Sequence, residues 1–232
     1  MVQVIPVLDL RGGGVVHAHR GERGRYPPLA STLCAGNAPE AVVRGLLGLF
    51  AFRVIYVADL DAIEGTGDNG AALMRLEAAF PEVGFWVDAG FRDATQVRSF
   101  LARHRGDAVI GSESLDGVEP LEELAGERRI VLSLDFRDRF VGPPGLLGRA
   151  DLWPDRVIAM TLARVGSGEG PDRARLAELR RAAPHVRLFA AGGVRGAGDL
   201  RTLAADGVAG ALVATALHDG RIGRADLDAL GG

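Results

Sequence analysis

Apolar runs that end in a charged or glycine-rich step recur along the chain. Val4-Ile5-Pro6-Val7-Leu8-Asp9 is apolar up to its carboxylate, and Leu10-Arg11-Gly12-Gly13-Gly14 follows at once. Such a run, without polar alternation, predicts a strand buried on both faces. Arg129 to Asp138 repeats the plan, with Leu132-Ser133-Leu134-Asp135-Phe136-Arg137 at its end. Further strands are predicted at 53–58, 85–90, 108–112, 157–161, 186–191 and 211–214. Between them, helical patterns are expected over 41–51, 71–80, 93–105, 120–125, 172–183 and 199–205. Pro39 opens the first of these helices, Asp93 caps the third and Pro81 stops the second. A further short helical piece is expected after Gly220. The basic, Gly- and Pro-broken stretch from Arg20 to Leu29 is too long for an ordinary connection, and is expected to be a lid or binding loop.

Eight strands alternating with helices predict an α/β fold, a single (β/α)₈ TIM barrel rather than an open sheet. An internal repeat sharpens this. Phe85-Trp86-Val87-Asp88-Ala89-Gly90-Phe91-Arg92 matches Leu188-Phe189-Ala190-Ala191-Gly192-Gly193-Val194-Arg195, with Gly90 and Gly193 in register. Val109-Ile110-Gly111-Ser112 matches Leu212-Val213-Ala214-Thr215 at the same separation. Residues 1–232 are therefore read as one barrel with an internal half-barrel duplication, the half-repeats covering about 1–125 and 126–220. Asp9 and Asp135 then face each other across one mouth.

With 232 residues, 47% of them apolar, the chain can build one large core. A formal charge of -3 gives no electrostatic case for nucleic acid or an anionic membrane as partner. Cys34 is alone, which excludes an internal disulfide or a cysteine metal cluster, and the histidines show no metal-ligand spacing. No metal and no cofactor is expected. No apolar run is long enough to cross a membrane and no basic leader precedes the first strand, so a cytoplasmic protein is expected.

The glycines predict the ligand. Gly90, Gly111, Gly192 and Gly193 end strands and precede helices, so amides there, with those of Phe91, Ser112, Ala214 and Thr215, can converge on an anion. Gly168 sits in a comparable Gly-rich turn after the sixth strand. Two such sites facing each other suit a substrate phosphorylated at both ends. Glycines needed only for tight turns are the alternative. Arg11, Asp59, Asp88, Arg137 and Arg164 are further candidates; each also has an ordinary reading as a loop charge, cap or salt bridge.

Ile5-Pro6-Val7-Leu8-Asp9-Leu10-Arg11-Gly12-Gly13, Tyr56-Val57-Ala58-Asp59-Leu60-Asp61, Gly90-Phe91-Arg92, Leu134-Asp135, Ala191-Gly192-Gly193-Val194 and Ala216-Leu217-His218-Asp219-Gly220 carry a likeness over essentially the whole chain. It resembles the phosphoribosylformimino-aminoimidazole carboxamide ribotide isomerase family of histidine biosynthesis, with the related cyclase subunit of imidazole glycerol phosphate synthase. The resemblance implies a half-repeat barrel in which Asp9 and Asp135 act as base and acid in an Amadori rearrangement, with Thr161 assisting. Several departures lie in the site. Where the family has Gly-Gly-Gly-Ile-Arg, this chain has Asp88-Ala89-Gly90-Phe91-Arg92. An acidic Asp-Gly-Thr loop is replaced by Leu162-Ala163-Arg164-Val165-Gly166-Ser167-Gly168, a strand-eight Gly by Ala214, and a strand-two His by Tyr56. This pattern resembles a branch found in organisms with methanopterin-linked one-carbon chemistry, which implies a role in making tetrahydromethanopterin or a methanofuran.

Two function classes stay open. One is an aldose–ketose type isomerase, or related enzyme, acting on a phosphorylated sugar-like compound, the histidine-pathway isomerase included. The other is a non-catalytic relative that binds such a ligand or scaffolds a partner. Retention of two carboxylates favours the enzyme, since a scaffold has no need to desolvate them. The partner expected is a phosphorylated small molecule; a homodimer or a partner biosynthetic enzyme stays open.

Overall fold

The first strand, β1 (Gln3–Arg11), lies between the second and the last of a ring of parallel strands. A computed structural model describes residues 2–230. Around the ring β1 is followed by β2 (Val54–Asp59), β3 (Gly84–Asp88), β4 (Asp107–Gly111), β5 (Ile130–Phe136), β6 (Arg156–Thr161), β7 (Arg187–Ala191) and β8 (Gly210–Val213). Each pairs in parallel with its predecessor, and β8 closes on β1 with Gln3 opposite Gly210 and Pro6 opposite Val213. The structure is a closed eight-stranded parallel barrel wrapped by helices, the predicted (β/α)₈ architecture. Two short antiparallel strands, Gly14–Val16 and Phe140–Val141, extend β1 and β5 past the mouth.

Closure makes both faces of every strand apolar, which is why the strands read as near-continuous apolar runs. Side chains alternate between two cores. Leu8, Val57, Val87, Leu132, Leu134, Ala159 and Leu188 point out and pack under the helices. Ile5, Tyr56, Trp86, Val109, Val131, Ile158, Phe189 and Leu212 fill the interior. Trp86 meets Phe189 edge-on at 4.9 Å between centroids, and Arg156 lies over Trp86 while bonding Asp107 at 2.5 Å. The amino-terminal end of the barrel is thereby plugged, and the interior opens only at the carboxyl ends.

The same alternation delivers Asp9, Asp88 and Asp135 to the open end, each in step with the interior residues before it on its strand. Asp59 does something else. Its strand passes directly into a short helix, Leu60–Glu64, which the sequence reading missed, and its carboxylate caps that helix through Ala62 N–H at 3.1 Å. It also accepts from the backbone and side-chain nitrogens of Asn69, both at 2.7 Å. Asn69 Oδ1 in turn receives Gly13 N–H at 2.8 Å, so the hub ties the glycine turn after β1 to the β2 connection. Of the two roles weighed for Asp59, loop organiser is the one the bonds show.

Candidate active site

The mouth of the barrel encloses a cavity of about 190 Å³. Asp9, Asp88 and Asp135 line it with carboxyls, and Gly168, Gly192, Gly193, Ala214 and Thr215 line it chiefly with backbone. Asp9 and Asp135 come from β1 and β5, diametrically placed in the ring.

The two carboxyls are held differently. Asp135 Oδ1 accepts from Ser133 Oγ at 2.7 Å, and Oδ2 accepts from Glu113 N–H at 3.0 Å and Ser112 Oγ at 3.2 Å. Asp9 receives no hydrogen bond from any described residue and keeps part of its surface toward the cavity. Burial pushes both up to about 7. The second influence has opposite sign in the two: the Arg23 guanidinium pulls Asp9 down, whereas the Glu113 carboxylate pushes Asp135 further up. Asp88 is raised to about 6, again mainly by burial. Tyr56 donates to Asp88 Oδ2 at 3.3 Å, and burial together with the surrounding carboxylates holds its phenol well above the ordinary range. Gly111 makes room for this grouping. A Cβ there would stand 3.2 Å from Asp88 Oδ2 and 3.4 Å from Asp135 Oδ2.

These shifts predict how stability depends on pH. A carboxyl whose folded pKa lies above its unfolded value binds its proton more tightly in the native state. The resulting stability is fully present below the ordinary carboxyl value of 3.8 and is lost as pH rises through 6 to 7. Thermal midpoints are therefore expected to fall between pH 5 and pH 8, with a shallower fall in Asp9→Asn and Asp135→Asn. A midpoint that climbs over this range, or variants that track the wild type, would contradict the burial described here.

The part of the lining after β7 and β8 is built from backbone. The amides of Gly192, Gly193, Val194, Ala214 and Thr215 donate to no described residue. Gly192 and Gly193 have φ of 100° and 85°, and a Cβ on them would meet Thr161 O at 2.6 Å and Gly170 O at 2.3 Å. Glycine is thus required at both positions, by conformation and by the close approach of the loop after β6. That loop and the 17–28 stretch roof the cavity together. Arg20 N–H donates to Val165 O at 2.8 Å, and Arg20 pairs with Glu169 at 3.1 Å. From under this roof Arg23 reaches inward to an ion pair with Glu113. Arg23 and Tyr26, from the basic Arg20 to Leu29 stretch, line the cavity.

With this geometry in place, the comparison with known proteins is decisive. The histidine biosynthesis protein family model matches residues 3–223. The chain belongs to that family. The phosphoribosyl imidazole-4-carboxamide isomerase of Rubrobacter xylanophilus is 34% identical, over 94% of this chain and 92% of that protein. The isomerase of Sphingopyxis alaskensis is 30% identical, over 98% and 97%. An uncharacterized protein of Methanocaldococcus jannaschii is 29% identical over 94% of each chain.

For this member of the histidine biosynthesis family, the cavity collects some of the expected residues and leaves out others. Thr161 is not among the lining residues. On β6 the interior positions are Ile158 and Met160, so Thr161 falls on the helix-facing side. Ser167 lines the cavity from this connection, with its hydroxyl donating to Arg164 O at 3.0 Å and accepting from Glu169 N–H at 3.2 Å. Phe91 is buried in the outer core against Phe100, 5.2 Å between centroids. Arg11 pairs with Glu64 at 2.7 Å, and Arg164 braces its own loop through Gly170 O and Pro171 O at 3.0 and 2.9 Å. Arg137 is exposed outside the cavity. Gly90, Gly111 and Ser112 lie behind the carboxylates rather than on the cavity wall. Two charged side chains that line the cavity were missed, Glu113 and Arg23. Glu113 follows Ser112 where the matching repeat has Ala216, a mismatch visible in the sequence; Arg23 gave no signal beyond its basic loop.

Among the described residues no group of three or more His, Cys, Asp or Glu side chains is placed to hold a metal ion, and no helix is long and apolar enough to cross a membrane.

Proposed function

We propose that this protein is an isomerase that rearranges a phosphorylated, sugar-like compound by acid–base chemistry. The observation that carries the reading is the pair Asp9 and Asp135, two buried carboxyls from diametric strands bordering one cavity, with a wall of free amides beside them. Two carboxyls can share acid and base roles when their surroundings favour different protonation states. Glu113 favours the neutral form of Asp135, and Arg23 favours the ionised form of Asp9.

In an Amadori-type reaction Asp135 gives its proton to the ring oxygen while the C1–O bond breaks and the nitrogen lone pair forms C1=N. Asp9 then takes the proton from C2, the C–H electrons form the C1=C2 bond, and the C1=N pair returns to nitrogen to give an enaminol. Tautomerisation, with a proton delivered to C1, leaves a ketone at C2. The resemblance of the Asp88-Ala89-Gly90-Phe91-Arg92 and Arg164-Val165-Gly166-Ser167-Gly168 stretches to the methanopterin-associated branch supports a substrate from one-carbon cofactor synthesis.

Incubation with a cell metabolite extract followed by mass spectrometry tests this. Conversion of a phosphorylated compound to a species of unchanged mass and altered retention supports the isomerase. Retention of such a compound unchanged would instead favour a ligand-binding relative. The phosphate end is tested separately by crystals grown in phosphate. An anion is expected within hydrogen-bonding distance of the amides of Gly192–Val194 and Ala214–Thr215. Phosphate bound only elsewhere removes this wall from the reading.

A further inference from the structure

The connections after β3 and β4 and those after β7 and β8 look alike locally but treat their amides in opposite ways. Gly90 and Gly193, matched in the sequence repeat, both stand two residues beyond a strand end with left-handed backbone, φ of 66° and 85°. Gly90 N–H is taken by Asp88 Oδ1 at 3.0 Å, whereas Gly193 N–H is free among the described residues. The next connection repeats the contrast. Glu113 N–H is taken by Asp135 Oδ2 at 3.0 Å, and the amide of the matching Ala216 is free among the described residues. The side chains differ in the same sense: Asp88 stands where the other half has Ala191, and Glu113 where it has Ala216.

The expected pair of equal phosphate cradles is therefore not what the cavity presents. On one side the donors are open and the neighbouring side chains are methyls. On the other, the amides of Gly90 and Glu113 are already taken by carboxylates, and Asp88 and Glu113 line the cavity. A phosphate brought to Asp88 and Glu113 would find the Gly90 and Glu113 amides already taken and two acids to repel it. A hydrogen-bond donor brought there would find acceptors in a poorly solvated site, where charge-assisted bonds are strong. Arg23 already shows what this side accepts: it reaches over from the 17–28 stretch and pairs with Glu113.

We infer that the substrate is a monophosphate, held by the open amides after β7 and β8, whose far end bears a protonated amine or a comparable hydrogen-bond donor recognised by Asp88 and Glu113. This inference rests on the phosphate reading of the Gly192–Val194 wall given above. It assigns to Asp88 and Glu113 a role in choosing substrate, and it excludes compounds phosphorylated at both ends.

Binding of simple probes by calorimetry tests it on the intact protein: inorganic phosphate, an ω-aminoalkyl monophosphate, and the alkane bisphosphate of matched chain length. The aminoalkyl phosphate is expected to bind the wild type at least about tenfold tighter than the bisphosphate, the worth of one charge-assisted hydrogen bond. In Asp88→Ala/Glu113→Ala, which gives the acidic side the side chains of the open one and releases Arg23, that preference should vanish or reverse. If the double variant does not fold, the wild-type comparison still decides. Equal or tighter binding of the bisphosphate by the wild type overturns the inference and leaves the phosphate wall standing. Failure of all three probes to bind overturns both.

Discussion

Asp9→Asn and Asp135→Asn are each expected to lower turnover by roughly 10²–10⁴-fold, the usual worth of a positioned proton-transfer group. Substitution by Asn keeps the shape of each side chain and removes its capacity to carry a proton. The two losses should differ in kind. Asp135 is fixed by Ser133, Ser112 and the Glu113 amide, so its Asn replacement leaves donors facing donors and should also disturb packing. Asp9 has no such partners among the described residues, so its Asn variant should fold normally and lose only chemistry. Phosphate binding should survive in both, because backbone amides rather than these carboxyls would hold the anion. Once a substrate is in hand, near-normal turnover in either variant removes that residue from the proton transfers.

Gly193→Ala is expected to cost about 2–4 kcal/mol, combining the left-handed backbone penalty with overpacking. Its φ is 85°, and the added methyl would stand 2.3 Å from Gly170 O, a backbone atom that cannot swing aside. Lower unfolded-state entropy for Ala offsets less than about 1 kcal/mol of this. Gly168→Ala is the matched comparison. Its φ is 70° and a Cβ there meets nothing within 4 Å, so only the backbone cost of about 1–2 kcal/mol should appear. Denaturant midpoints of the two variants measure the difference. Equal losses would mean that the loop after β6 moves away from Gly193 at little cost. A distortion there should also weaken phosphate binding, which the Gly168 variant would spare.

The barrel was legible because burial on both faces leaves a distinctive pattern, apolar runs stopping at Asp9, Asp88 and Asp135. Those three carboxylates could be placed at the mouth for the same reason. What the sequence did not reveal was the direction of a side chain at a strand's last residue. Met160 and Thr161 are adjacent, and only the interior parity fixed by Ile158 shows that Thr161 faces the helices. Amide occupancy was equally hidden. Gly90 looked like an anion cradle by its place in the repeat, yet whether its N–H is free depends on where the Asp88 carboxylate turns. Glu113 could be seen only as an odd partner to Ala216, and its ion pair with Arg23 spans residues far apart in the chain. The short helix after Asp59 escaped because the cap from Ala62 N–H to Asp59, held in place by Asn69, outweighs the weak intrinsic preference of so short a segment.

Closure of β8 onto β1 also governs when the site comes into being during folding. Asp9 and Asp135 lie on opposite arcs of the ring, and neither is enclosed until the last register, Gln3 to Pro6 against Gly210 to Val213, has zipped. That contact joins nearly the two ends of the chain, so it carries a high loop-closure entropy and belongs late on the route. An open arc would leave both carboxyls wet and ionised, at their ordinary affinity for protons. The final strand thus has to drive proton uptake as well as ring closure. Refolding should accelerate as the solution is made mildly acidic, and stopped-flow refolding with a pH indicator should show protons drawn in during its last phase.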